Sequence, residues 1–165
     1  MADKTLTERL QPSLLDRLTD DEAWEKQEGR DGRVIDARRL RDIIRRDLAW
    51  LLNTTNAESE NDMEIHPEVA TSTVNFGVPD LAGKIESMSR ALEVRQNIRR
   101  AVEAFEPRIV PGSLEISIVE EAVKERSIVT FDIRGELWAQ PLPIELYLRT
   151  AMDVTTGEVK VERQG

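Results

Sequence analysis

The amino-acid sequence predicts an α+β protein in which two main helices pack on one face of a small antiparallel sheet. Up to about residue 105, apolar residues recur at the three- and four-residue spacing of helices. From residue 114 onward they alternate with polar residues, as they do in half-buried strands. Helices that precede a run of strands favour an α+β layer, because each apolar helix stripe must be buried against the sheet.

The sequence divides the 165 residues into a polar N-terminal arm, residues 1–33, and a single α+β domain, residues 34–165. One domain is usual for this length. The arm carries one short amphipathic segment at residues 14–18. Residues 20–33 are charged and contain two glycines, which indicates a loop or a mobile arm. Trp24 in this segment is expected to dock either on the domain or on a partner.

Two long helices are expected, over residues 35–53 and residues 84–105. Asp36 is suited to cap the first helix, because its carboxylate can accept a hydrogen bond from an N–H group of the first turn. The predicted buried stripe of the first helix is Leu40, Ile43, Ile44, Leu48, Leu51 and Leu52. The predicted buried stripe of the second helix is Ile85, Met88, Leu92, Ile98, Val102 and Phe105. Stripes of this kind indicate helix faces that are buried in a core.

Alternation of apolar and polar residues predicts strands at residues 114–118, 128–134, 144–149 and 158–161. A Thr-Thr-Gly turn before the last strand predicts a terminal hairpin. Between the two long helices, residues 54–73 are acidic and polar, which indicates a surface loop.

Composition limits the classes of function. The net charge is −9 and the sequence pI is near 4.8. Both values argue against binding to nucleic acid or to an anionic membrane surface, because either ligand needs a basic face. The chain has no cysteine, no signal-peptide-like N-terminus and no run of about 20 apolar residues that could insert into a membrane. We therefore expect a cytoplasmic protein without direct membrane insertion.

No cofactor, metal ion or catalytic residue is predicted. His66 is the only histidine, and no cysteine accompanies it as a metal ligand or as a catalytic partner. Gly29 and Gly32 lie in the charged arm rather than between a strand and a helix, so they do not form a phosphate-binding loop.

The residues Glu106, Pro107 and Arg108 mark the transition from the second helix to the strands. Helices usually end at or before the residue that precedes a proline, which places Glu106 at a fixed corner. From the residues alone this corner has two interpretations. Glu106 and Arg108 solvate the turn or form a local ion pair, or they make charge-assisted hydrogen bonds to a partner.

Four motifs occur in an order and at separations that resemble one known family. They are Ser-Leu-Leu-Asp-Arg-Leu at 13–18, the Arg-rich helix at 45–54, Asn-Phe-Gly-Val-Pro-Asp at 75–80, and Phe-Glu-Pro-Arg-Ile at 105–109. Together they resemble the lysozyme-like baseplate wedge family of contractile tailed phages and type VI secretion systems. The resemblance implies a lysozyme-like wedge fold.

The resemblance also implies a structural subunit of a type VI secretion baseplate, docked at the inner membrane, that links the wedge complex to the contractile sheath. Its implied partners are other baseplate wedge subunits and sheath subunits. The resemblance assigns the corner residues Glu106, Pro107 and Arg108 to contacts with the wedge. Attachment to the sheath is expected through strand pairing, at an exposed edge strand near residues 144–149 or at the terminal hairpin. The candidate residues of that strand are Ile144, Leu146 and Leu148.

The alternative is a peptidoglycan-cleaving muramidase, because the phage members of this family carry a lysozyme label. Glu106 is then the best-placed general acid, since burial beside Phe105 favours a protonated carboxylate. Two arguments oppose this alternative. The guanidinium of Arg108 favours the ionised carboxylate, and a cytoplasmic chain has no route to peptidoglycan.

Overall fold

A computed structural model describes residues 10, 13–19, 36–80, 88–119, 128–139 and 142–163. Its helices are α1 (Leu14–Leu18), α2 (Ala37–Leu52), α3 (Pro67–Ala70) and α4 (Met88–Phe105). Its strands are β1 (Glu115–Ile118), β2 (Ile128–Leu137), β3 (Ile144–Asp153) and β4 (Val159–Arg163). Two single 3-10 turns, Ala57–Ser59 and Thr73–Asn75, lie between α2 and α4. The segment 20–33, with Trp24, lies outside the described residues.

The four strands form one antiparallel sheet in the order β1-β2-β3-β4, so each strand lies beside its neighbour in the sequence. The predicted α+β class is therefore confirmed. Helix α2 packs mainly against β4 and α4, and α4 packs against β1. The apolar side chains of the sheet and the inner faces of the two long helices form one core. Their burial supplies the main stabilisation of the fold.

Helix α2 is the element that the sequence predicted best. All six residues of its predicted stripe are buried. The carboxylate of Asp36 accepts a hydrogen bond from the N–H group of Arg39 at 2.7 Å, as the cap prediction requires. The cap and the stripe both depend on residues within a few positions of each other, so local spacing was sufficient.

Helix α4 buries part of its predicted stripe: Ile98 and Val102 are buried, and Phe105 packs against the core. Ile85 and the side chain of Met88 lie outside the described residues. Leu92 is 43% exposed, whereas Ala91 and Val94 are buried. The buried residues Ala91, Val94, Ile98, Ala101 and Val102 follow helical spacing, and Leu92 falls outside that stripe. The prediction favoured the larger side chain at position 92, although the spacing that begins at the small Ala91 determines the face.

The expectation that residues 144–149 form an edge strand holds only in part: among the described residues, 144–147 pair with β2 alone, whereas Leu148 and Arg149 also pair with β4. Strand β3 lies between β2 and β4 and pairs with β2 over its whole length, from Ile144 to Asp153. Its partner β4 reaches only from Met152 to Leu148. β4 is therefore the edge strand beside the second half of β3, and the first four residues of β3 form the adjoining part of the same edge, where the carbonyl of Glu145 accepts a hydrogen bond from Nε of Arg41 at 2.9 Å.

The predicted N-terminal arm contributes to the domain. Leu10 is only 4% exposed and belongs to the same core as the long helices. The amphipathic segment of the arm forms α1, with Ser13 as its N-cap. In the part of the arm that the structure describes, α1 is also bound to α2 by an ion pair, which is part of the site described below.

Candidate assembly site at the Glu-Pro-Arg corner

The corner begins where α4 ends. The N–H group of Glu106 still donates to the carbonyl of Val102 at 2.9 Å, as in a helix. Pro107 has no N–H group and is exposed, and the N–H group of Arg108 turns back to the Glu106 carboxylate at 3.1 Å. The N–H group of Ile109 donates to the Glu106 carbonyl at 3.2 Å and completes a tight turn.

The side chains of Glu106 and Arg108 form a bidentate ion pair. Nε of Arg108 lies 2.6 Å from Oε1 of Glu106, and Nη2 lies 2.5 Å from Oε2. Glu106 is only 4% exposed, so its charge is removed from water and depends on this partner. Of the two interpretations of the corner, the structure shows the first, a local ion pair. Within this chain, Glu106 faces Arg108.

The ion pair continues into a network that joins three segments. Nη2 of Arg108 donates to Asp47 of α2 at 2.7 Å. The other carboxylate oxygen of Asp47 accepts a hydrogen bond from Arg46 at 2.7 Å. Arg46 in turn donates to Asp16 of α1 at 2.6 Å. We call these five residues, Asp16, Arg46, Asp47, Glu106 and Arg108, the corner network.

Hydrogen bonding and charge favour the ionised form of each group in the network whose pKa is shifted. Burial alone would lower the pKa of Arg108, but the carboxylates of Glu106 and Asp47 outweigh it and raise this pKa. The hydrogen bond from Arg46 lowers the pKa of Asp16. The same hydrogen bond raises the pKa of Arg46. Asp16, Arg46 and Arg108 are therefore all held in their charged forms near neutral pH.

The network holds α1 with its polar side toward the domain. Asp16 faces Arg46 and also accepts a hydrogen bond from the Ser13 hydroxyl, whereas Leu14 and Leu18 are 70% and 75% exposed. Arg46 also lies over the ring of Trp50, with 4.9 Å from its guanidinium carbon to the ring centroid. Because a five-residue helix is not stable alone, the bond to Arg46 and the burial of Leu10 must keep α1 in place.

Backbone hydrogen bonds attach the corner to the end of β2. The carbonyl of Arg108 accepts from the N–H group of Trp138 at 2.8 Å, and the N–H group of Val110 donates to the carbonyl of Glu136 at 2.8 Å. Ile109 forms a bridge with Leu137. The corner thus continues the β1 side of the sheet and is fixed at two points, by charge to α2 and by backbone to β2.

The predicted strand residues lie elsewhere and are covered. Ile144, Leu146 and Leu148 are 7%, 2% and 1% exposed and belong to the core, so their side chains are not a docking surface. Ile144 pairs with Leu137, which bridges to Ile109. The start of β3 is therefore at the same end of the sheet as the corner, one strand away from it.

A second ionic group lies on the sheet face opposite the core. Asp132 of β2 accepts hydrogen bonds from Nε of Arg149 and from the hydroxyl of Tyr147, both at 2.8 Å. The guanidinium of Arg134 lies 4.7 Å from the centroid of the Tyr147 ring. The hydrogen bonds from Arg149 lower the pKa of Asp132. Sequence reasoning missed this group because its members are brought together only by the β2–β3 register.

This pKa shift gives a pH-dependent prediction. The pKa of Asp132 is below the value of about 3.9 in an unfolded chain, so its stabilisation is complete above about pH 5 and is lost as the pH falls through the folded value. We expect Asp132→Asn to lower the free energy of unfolding at about pH 7 and to have a smaller effect near pH 3, where the carboxylate of the unfolded chain is already mostly protonated. Urea denaturation at both pH values measures the difference. Glu136→Gln, at an exposed site on the same strand, is the matched control and should change stability little at either pH. A loss that does not depend on pH would contradict the assignment.

The muramidase alternative finds no support at Glu106. Both carboxylate oxygens accept hydrogen bonds from Arg108, and the residue is buried. A general acid must instead present a proton to a substrate oxygen. Within the described ranges, no group of three or more His, Cys, Asp or Glu residues is arranged to hold a metal ion. The helices of the described part of the chain are also too short or too polar to span a membrane.

The fold and the corner network define a small α+β protein in which ionic contacts, one of them to the buried Glu106, connect α1, α2 and the corner. Comparison with family models matches residues 38–142 to the baseplate wedge protein gp25 family. The match covers more than half of the chain, and the chain belongs to this family of structural baseplate proteins. The matched region begins in α2, ends before β3, and includes Asp47 and the whole corner. The resemblance inferred from the motifs is thus confirmed for the family. A comparison with curated proteins finds no match.

Proposed function

We propose that the protein is a non-enzymatic structural subunit of a type VI secretion baseplate, of the TssE type. In this proposal it has a lysozyme-like wedge fold, acts in the cytoplasm in a baseplate docked at the inner membrane, and links the wedge complex to the contractile sheath. The observation that carries the proposal is the baseplate wedge match across the Glu-Pro-Arg corner. The secretion system itself is inferred from the four ordered motifs, one of which precedes that match and three of which lie inside it.

On the wedge side, the corner is proposed to act as a rigid contact. Its ion pair is turned inward, so the surface offered to a wedge subunit consists of the exposed ring of Pro107 and the part of Arg108 that remains accessible, 27% of its side chain. The buried pair contributes by fixing the position of these atoms. A preformed contact loses less conformational freedom on binding than a mobile one, which favours assembly.

On the sheath side, the edge strand β4 is proposed to accept a strand. The start of this edge is already occupied by Asn53, whose side-chain amide donates to the carbonyl of Val159 at 2.8 Å and accepts from its N–H group at 2.9 Å. Residues two positions apart direct their backbone groups to the same side of a strand. Val161 therefore directs its N–H and C=O groups outward, and no other described residue hydrogen-bonds to them.

Replacing Val161 by proline tests this attachment. Val161→Pro removes only an outward-facing N–H group, which a proline on an edge strand tolerates, so the pairing with β3 is kept. We expect the variant to lose capture of the sheath subunit and to retain capture of the wedge proteins. Val161→Ala is the matched control, because it shortens the same buried side chain and keeps the donor. Equal capture of the sheath subunit by both variants would rule out strand pairing at this position.

Co-purification tests the function as a whole. A tagged wild-type protein is expected to capture wedge and sheath subunits of the secretion system and to release no fragments from purified peptidoglycan. Capture of neither subunit class would contradict the structural role. Peptidoglycan cleavage that is lost in Glu106→Gln would instead support the muramidase alternative.

A further inference from the structure

A groove of about 380 Å³ lies between α4 and the segment from Asn56 to Pro79, and none of its lining residues belongs to the corner network. One wall is the side of α4 that carries Asn97, Ala101 and Ala104. The opposite wall is formed by the loop after α2, including Asn75 and Gly77. Small side chains on both walls leave room for an inserted side chain, and the volume is in the range of binding pockets.

The floor of the groove behaves as an apolar surface, because the polar atoms of Asn75 are already hydrogen-bonded within the chain. Asn75 is 4% exposed, and its side chain accepts a hydrogen bond from the N–H group of Ala57 and donates one to the carbonyl of Ala70, both at 3.1 Å. Phe105 lines the same groove and contacts Phe76 edge to face, with 5.4 Å between the ring centroids. The floor therefore favours an apolar side chain.

The segment that supplies one wall of the groove is acidic, and this charge favours a basic segment as the carrier of that side chain. Residues 54–80 contain six carboxylates and no lysine or arginine. Two arginines on the α4 side are already paired, Arg100 with Glu58 at 3.4 Å and Arg99 with Glu103 at 3.6 Å. In contrast, four exposed carboxylates make no ion pair with any described residue. They are Glu60, Asp62, Glu64 and Glu68.

We propose that this groove is a docking site for a basic segment of another protein, which inserts one large apolar side chain between α4 and the loop. The unpaired carboxylates attract the lysines or arginines that flank this side chain. Opposite charges steer such encounters and exclude acidic competitors. The lining residues include none of the corner network and none of β4, so the groove adds a third contact surface to the protein.

Titration of the isotope-labelled full chain with short synthetic peptides tests the proposal by NMR. The probe is a peptide with a central leucine flanked by lysines. The comparison peptides replace the lysines by glutamates or the leucine by serine. We expect the first peptide to shift the amide signals of Ala101 and Ala104, with weaker binding at higher salt, and the other two to bind at least about tenfold more weakly.

Two pairs of variants locate the site. Ala104→Trp fills the groove from an exposed helix position and should abolish binding, whereas Gln96→Trp adds the same side chain at an exposed position of the same helix outside the groove. Neutralising Glu60, Glu64 and Glu68 to glutamine should weaken binding by roughly tenfold. The same change at Glu115, Glu145 and Glu162, which are exposed on the sheet, should have a clearly smaller effect.

Three results would overturn the proposal. They are absence of binding by the basic leucine peptide, equal binding of the acidic peptide, and unchanged binding by Ala104→Trp. Equal losses in the two glutamine variants would overturn the assignment of a basic segment. None of these results depends on capture of wedge or sheath subunits, so failure of this inference is distinguishable from failure of the proposed function.

Discussion

Arg108→Ala is expected to cost about 3–5 kcal/mol of folding free energy, because it leaves a buried carboxylate without its partner. Glu106 is 4% exposed and receives three hydrogen bonds from Arg108, one from the backbone and two from the guanidinium. The substitution keeps the backbone donor but removes the positive charge. It also removes the bond to Asp47, so α2 loses its ionic connection to the corner.

Urea denaturation followed by circular dichroism measures this loss. The matched control is Arg99→Ala, which breaks the exposed pair with Glu103 on the same helix and should cost at most about 1 kcal/mol. If Arg108→Ala were as mild as Arg99→Ala, the buried pair would not determine the stability of the corner.

Gly77→Ala is expected to destabilise the protein by about 3 kcal/mol or more, because a side chain at this position meets backbone rather than space. A Cβ atom there would lie 2.2 Å from the carbonyl oxygen of Thr54 and 2.8 Å from its carbonyl carbon. The residue also has φ of 128°, which L-residues rarely adopt. The next residue, Val78, donates its N–H group to the carbonyl of Thr54 and accepts a hydrogen bond at its own carbonyl from the N–H group of Asn56. The clash at Gly77 would therefore separate the loop from the end of α2.

Gly112→Ala provides the matched control for the Gly77 prediction. Gly112 also has positive φ, 83°, but a Cβ atom there would have no neighbour within 4 Å. Gly112→Ala should therefore lower the free energy of unfolding only by the cost of the backbone conformation, about 1–2 kcal/mol. Thermal or urea unfolding of both variants separates the cost of the backbone conformation from the cost of the steric clash. Equal losses would show that the close approach of Gly77 to Thr54 is not a constraint.

The parts of the fold that were predictable depend on local spacing. Asp36 and the α2 stripe interact within one or two turns, so the sequence specified that helix closely. The position of β3 depends on which strands pair on each side of it, which alternation along a single strand does not encode. Both an inner strand with one covered face and an edge strand show the same alternation, so alternation could not show that the predicted edge holds for residues 144–147 and fails at Leu148 and Arg149.

In the candidate site, too, the local contact could be predicted from the sequence, whereas the contacts between distant residues could not. Glu106 and Arg108 are two residues apart, and a local ion pair was one of the two interpretations that their spacing allowed. Asp47 lies 61 positions from Arg108, and Asp16 lies 30 positions from Arg46. The motifs that contain these residues were recognised, but no periodicity or spacing indicates that charges so far apart meet. Their contact depends on the packing of α1 and α4 against α2.

The most direct test of the central claim measures capture of wedge subunits by a variant that changes the exposed surface of the corner and keeps its ion pair. Pro107→Glu places a new charge on that surface, and Pro111→Glu places the same charge on the next exposed turn as a control. We expect wild type and Pro111→Glu to capture the wedge subunits, and we expect folded Pro107→Glu not to capture them. Equal capture by all three proteins would contradict it and make the corner a purely internal structural feature.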